Sequence, residues 1–123
     1  MKNALLDQSG LQFLTGASKI RVTPAQIIRL ESMSNYTKVY FADHVPIVMA
    51  KVLRAYEVLL RPYGFVRIHN SHLVNMDHVK DVDELGTVQM RDNSRLKFSR
   101  RKRREALILL MNKSIYPSKI SLA

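Results

Sequence analysis

Over residues 19–22, 28–31 and 36–41 the chain sets its apolar side chains at every second position. That interval lines one face of an extended strand. Only at Val52, Leu53, Tyr56, Leu59 and Leu60 does it lengthen to helical spacing, with Lys51, Arg54, Glu57 and Arg61 on the opposite face. A helix is therefore expected over residues 50–60, stopped by Pro62 and Gly64. Strand character resumes over residues 65–68. Residues 87–91 and 95–98 flank Asp92-Asn93-Ser94, which suit a hairpin loop. A second helix is expected over residues 100–111. The fold class read from this pattern is mostly β, a strand meander with two short helices.

The remaining segments are read from local chemistry. Gln8-Ser9-Gly10 and Thr15-Gly16-Ala17 are turn signals around Leu11-Gln12-Phe13-Leu14, so residues 1–18 read as a short strand or a linker. Thr23 before Pro24 suits one short helical turn. Residues 32–35 read as a loop, Asp43-His44 as a turn, 70–75 as a helical turn or compact loop, and 79–82 as a weak strand. The 123 residues make one domain of ordinary size. The expected division is an extension or linker over 1–18, the folded domain over 19–111 and a tail over 112–123.

Several function classes are disfavoured at this level. The chain has no cysteine, which removes disulfides, thiolate metal sites and cysteine nucleophiles. No run of about 18 apolar residues occurs, so no membrane span is expected. Residues 1–17 lack a basic start followed by an apolar block, which speaks against a secretory signal and for a cytoplasmic protein. The histidines are His44, His69, His72 and His78. His69 and His72 stand three apart, and a zinc site needs further ligands around them. Ser71 lies between them, but no orienting carboxylate accompanies it. The chain reads as a non-enzyme, without cofactor or metal.

Charge is the informative quantity. Lysine and arginine total 20 against 10 aspartates and glutamates, a net charge of +10 that points to a polyanionic partner. The densest run is Arg100-Arg101-Lys102-Arg103-Arg104 after Ser99. With Ser99 as N-cap, five cations would crowd the end of a helix that already carries partial positive charge. A docked phosphate would relieve that repulsion. The plainer alternative is a solvated basic face that only aids solubility.

Three segments, in order, resemble the LytTR-type DNA-binding domains. Tyr63-Gly64-Phe65-Val66-Arg67-Ile68-His69-Asn70-Ser71-His72-Leu73-Val74-Asn75 is similar to the family's "gFxRxHrSylVN" segment. Ile28-Arg29-Leu30-Glu31-Ser32 followed by Asn35-Tyr36-Thr37-Lys38-Val39 resembles its "IiyIea…nYt" segment. Leu96-Lys97-Phe98-Ser99-Arg100-Arg101 resembles its "lpvSRr" segment. The resemblance covers residues 19–110 and implies an elongated antiparallel β domain whose loops enter successive major grooves of promoter DNA. It further implies two protomers on adjacent direct repeats, and bacterial transcription regulation.

Carried over by motif position, Thr37, Asn70 and Arg101 are the expected base-contacting residues. Arginine pairs with guanine, asparagine with adenine, and threonine packs on a thymine methyl or hydrogen-bonds. Plainer roles stand beside these: Thr37 as a strand residue, Asn70 as a cap for the turn that follows. Lys38, Arg67, Arg100, Arg103 and Arg104 are phosphate-contact candidates by charge and proximity. His69 and Asn75 are assigned to structure, fixing the loop that presents Asn70. Asn70 replaces the family's frequent Arg or Lys, and His72 its usual aromatic residue. Many members carry a receiver domain, for which residues 1–18 leave no room. The chain thus reads as an excised domain or as a stand-alone regulator whose input comes from elsewhere. Two other functions compete. One is non-specific binding of RNA or single strands, with Tyr36, Tyr40 and Tyr63 stacking on bases. The other is capture of acidic protein or anionic lipid by residues 100–104.

Overall fold

The computed structural model describes residues 4–7, 10–15, 18–83 and 85–112. Its strands are β1 (Ala4–Asp7), β2 (Gly10–Thr15), β3 (Ser18–Val22), β4 (Ile27–Met33), β5 (Tyr36–Phe41), β6 (Ile47–Met49), β7 (Phe65–His69), β8 (His72–Asn75), β9 (Val79–Val82), β10 (Thr87–Met90) and β11 (Arg95–Lys97). The helices are α1 (Leu53–Leu60) and α2 (Arg103–Asn112). Among the described residues they form three sheets, β1-β2-β3, β11-β10-β9 and the five-stranded β6-β5-β4-β8-β7. Every pairing is antiparallel. The mostly β architecture with two short helices is thus the one the periodicity implies.

The large sheet is buried on both faces. Leu30, Val39, Phe41, Phe65 and Leu73 face Leu53, Tyr56 and Leu60 of α1. On the other face, Ile28, Val66, Ile68 and Val74 pack with Val79, Val82, Val88, Met90 and Leu96 of the small sheet and Leu107 of α2. Alternation along β5 produces this split, since Thr37, Val39 and Phe41 are buried and Tyr36 is exposed. Gly64 takes φ 85° where the turn after α1 reverses into β7, a left-handed conformation that glycine adopts at no steric cost.

Three expectations are corrected. Residues 72–75 form β8, an inner strand, and not a helical turn or compact loop. With Leu73 and Val74 pointing to opposite faces, its apolar run is too short to show a period. Pairing with β4 and with β7 makes it a strand. The loop at 32–35 contracts to the turn Ser34–Asn35, because β4 continues to Met33 opposite Tyr36. Both helices begin three residues later than their spacing suggested. At the N-terminal side, β2 pairs with β3 along residues 11–22, so part of the expected extension is strand. The expected tail lies, beyond Asn112, outside the described residues. No described helix is long and apolar enough to cross a membrane.

Candidate nucleic-acid interface

The register of the large sheet places the β4–β5 turn and the β7–β8 turn at the same end. Glu31 pairs with His72, and the Ser32 N–H donates to the Ser71 carbonyl at 2.9 Å. At the edge of β7, the Ser99 N–H donates to the Ile68 carbonyl at 2.8 Å, which moors the basic segment beside the β7–β8 turn. The three motif segments, far apart in sequence, therefore meet at one end of one sheet. At the opposite end, Asn75 donates from Nδ2 to the Ile27 and Pro24 carbonyls at 2.9 and 3.2 Å. Its Oδ1 accepts from the Asp77 N–H at 3.0 Å. Asn75 is structural as expected, but it fixes the far end and not the loop that presents Asn70.

Asn70 is exposed at the tip of the β7–β8 turn. Arg67 holds that turn from beneath. Its Nε donates to the His69 carbonyl at 3.0 Å, its Nη2 to the Asn70 carbonyl at 2.6 Å and its Nη1 to Glu57 Oε1 at 2.7 Å. Each guanidinium nitrogen is engaged and the charge is paired to Glu57, so Arg67, expected as a phosphate contact, holds the Asn70 turn in place. His69 contributes to the same turn: its Nδ1 accepts from the Ser71 N–H at 3.0 Å, as its structural assignment required.

Glu57 was missed as a site residue because its helix position reads as solvent-facing. It is buried, bonded to Arg67 and, at 3.0 Å, to Arg61. Burial pushes its carboxyl up, but hydrogen bonds from Arg67 and Arg61 and the positive charges of Arg67 and Lys102 outweigh that and hold it below the ordinary value. One α1 carboxylate is thus linked through Arg67 to the Asn70 turn and feels the charge of Lys102 in the basic segment. The i,i+4 spacing of Glu57 and Arg61 was the only sequence signal for it.

In the basic segment, Ser99 Oγ accepts from the Lys102 N–H at 3.1 Å and the Ser99 carbonyl from the Arg103 N–H at 3.0 Å. Ser99 therefore caps a turn over residues 100–102, and α2 follows at Arg103. Arg100, Arg101 and Arg104 are exposed, while Lys102 and Arg103 are half-buried. The charge run is spread over a turn and a helix start, which lessens the crowding at the helix end.

Thr37 does not reach the surface. It is 0% exposed, and its hydroxyl donates to the Lys51 carbonyl at 2.7 Å. The base contact expected of Thr37 is corrected accordingly, and its side chain ties β5 to the start of α1. Lys38, on the other face, is half-buried with Nζ 5.2 Å from the centre of the Tyr40 ring. Arg29 stacks on that ring at 3.7 Å, and the Tyr40 hydroxyl donates to Glu31 Oε1 at 3.0 Å. His72 lies beside this cluster, its ring 5.3 Å from that of His69. Burial lowers the His72 pKa, and the charges of His69 and Arg29 lower it further against the opposing Glu31 carboxylate. Two further exposed polar residues stand at this end: Asn35, read in the sequence only as part of a family segment, and Lys51, read there only as the polar side of a helix. Their placement comes from strand register alone.

Among the described residues, no group of three or more histidines, aspartates or glutamates is arranged to hold a metal ion. The arrangement offers exposed amide and guanidinium donors along a basic rim, which is the chemistry that reads base edges and phosphates.

A sequence model described as the LytTr DNA-binding domain matches residues 17–111. Among solved structures, the chain is similar to the LytTr DNA-binding domain of a protein from Bacillus cereus described as a methyl-accepting/DNA response regulator. The two are 24% identical over 85% of this chain and 98% of that one, with a TM-score of 0.72, a likeness that speaks for the fold. No curated protein matches.

Proposed function

The chain belongs to the LytTR family of DNA-binding domains, which serve as output domains of response regulators, and from that premise we propose that it reads a specific site in duplex promoter DNA. The observation that carries this reading is the meeting of the β4–β5 turn, the Asn70 turn and the Arg100–Lys102 turn at one end of the large sheet. Asn70 and Arg101 contact bases, while Arg100, Arg103, Arg104 and Lys38 contact phosphates. From β6 to β7 this row spans about 19 Å at the usual strand spacing. With the basic turn beyond β7, it approaches the roughly 34 Å pitch that separates successive major grooves on one face of B-DNA. Two protomers on adjacent direct repeats, and a signal delivered by a receiver domain or another regulator, complete the reading. The folded domain of residues 19–111 acts in the cytoplasm.

Single-strand stacking has less support. Tyr40 is covered by Arg29 and bonded to Glu31, and the exposed Tyr36 and Tyr63 lie at opposite ends of the large sheet. The deciding experiment is selection of bound duplexes from a random-sequence pool at moderate and high salt. A direct-repeat motif that survives added salt supports a sequence-specific regulator. Recovery without a motif, with binding that vanishes as salt rises, leaves only a basic patch and removes the roles given to Asn70 and Arg101.

A further inference from the structure

Resting on the duplex-DNA reading above, we propose that Lys51 is a phosphate contact at the β6 edge of the interface, positioned by the buried hydroxyl of Thr37. The register places it there. Thr37 pairs with Met49, so the chain leaving β6 runs past the start of β5 towards the end that carries the β4–β5 turn. At Lys51 the backbone is caught by the 2.7 Å bond from Thr37 Oγ1, and α1 starts two residues later. The Lys51 side chain is exposed, whereas Thr37 beneath it is wholly buried.

The basic segment lies beyond the opposite edge, against β7. Lys51 and the Arg100–Lys102 turn thus bracket Asn70 across the five strands, about 19 Å from edge to edge. A major groove is about 12 Å wide. With Asn70 reading bases within one groove, the β6 edge, about three strand spacings away, falls beyond that groove's wall and onto its phosphate backbone, while the basic turn on the other side carries Arg101 towards the next groove. Lysine suits that place, because a compact charge on a flexible stem meets a phosphate without demanding the planar geometry that base reading needs. The position matched to a base contact by motif is in this chain a buried lock, and the residue that it holds is the one at the surface.

The test measures affinity for a selected duplex and for random duplex across a salt series, comparing wild type with Lys51→Ala, Lys51→Arg, Thr37→Val and the Thr37→Val/Lys51→Ala pair. Lys80, exposed on β9 just beyond the far-end turn, is the control. Lys51→Ala is expected to weaken both duplexes by the same severalfold factor and to reduce the slope of log affinity against log salt by roughly 0.9, the value of one phosphate. Lys51→Arg restores both readouts, and Lys80→Ala changes neither. Thr37→Val weakens binding less than Lys51→Ala, and adds nothing when Lys51 is already alanine. Wild-type affinity and slope in Lys51→Ala, alongside weakened binding by Arg101→Ala, would overturn the Lys51 assignment while sparing the wider reading. A further loss from Thr37→Val in the Lys51→Ala background would overturn the positioning role. Absence of duplex binding by the wild type would overturn both the site and the reading on which it rests.

Discussion

Arg67 Nη1 lies 2.7 Å from Glu57 Oε1, and the same guanidinium donates to the His69 and Asn70 carbonyls. A buried ion pair is weak evidence for stability, because both charges must leave water, but removing one partner strands the other. The pair here does geometric work, fixing the turn from which Asn70 projects. Arg67→Ala should therefore cost about 3 kcal/mol. Arg61→Ala, which removes the exposed partner of Glu57, should cost under about 1 kcal/mol. Urea denaturation of both variants checks the contrast.

The Glu57 carboxyl titrates below its ordinary value of 4.5 in the folded chain. Below that value the unfolded chain takes up the proton first, so the stabilisation is fully present above it and is lost as pH falls through the folded value. Asp92, which burial pushes up and hydrogen bonds from Ser94 pull down further, contributes with the same sign from its ordinary 3.8 downward. Glu57→Gln should flatten the acid limb that starts near pH 4.5 and leave the part due to Asp92. Urea midpoints between pH 6 and 2.5 measure it.

His72 acts at a higher pH by the same logic. Burial favours its neutral form, so between the ordinary 6.5 and the lower folded value the unfolded chain holds more protons and stability declines as pH falls. A His72→Gln variant should lose stability less steeply just below pH 6.5. Equal slopes in the two proteins would count against a titrating His72.

Arg101→Ala should relax preference at one base position at a cost of about 1–3 kcal/mol, and Asn70→Ala should do so at another. Arg104→Ala should weaken all duplexes alike and lower the salt slope. Repeating the duplex selection with each variant separates loss of specificity from loss of affinity.

Leu73 is fully buried in β8 against the α1 face of the sheet. Leu73→Ala should destabilise by about 2–5 kcal/mol, because neighbouring strands on both sides limit relaxation into the cavity. A cost under 1 kcal/mol in thermal or urea unfolding would contradict an inner-strand placement.

Periodicity in the sequence was sufficient for the strands β4, β5 and β7, for α1, and for the β10–β11 hairpin, since alternating and helical spacing each describe which side of an element is dry. The run at 100–104 raised the expectation of a polyanionic partner, and three ordered motifs disclosed the family. What the sequence could not express was which polar residue faces inward. Thr37 and Arg67 both read as contacts. Thr37 turns in because β5 alternates towards α1, and Arg67 turns in because it faces Glu57 across that interface. Asn35 and Lys51 come to the end of the sheet that carries the Asn70 turn only through strand register. Tertiary structure decided these because burial and partnership depend on elements brought together from distant positions, and local spacing along the chain holds no record of that pairing.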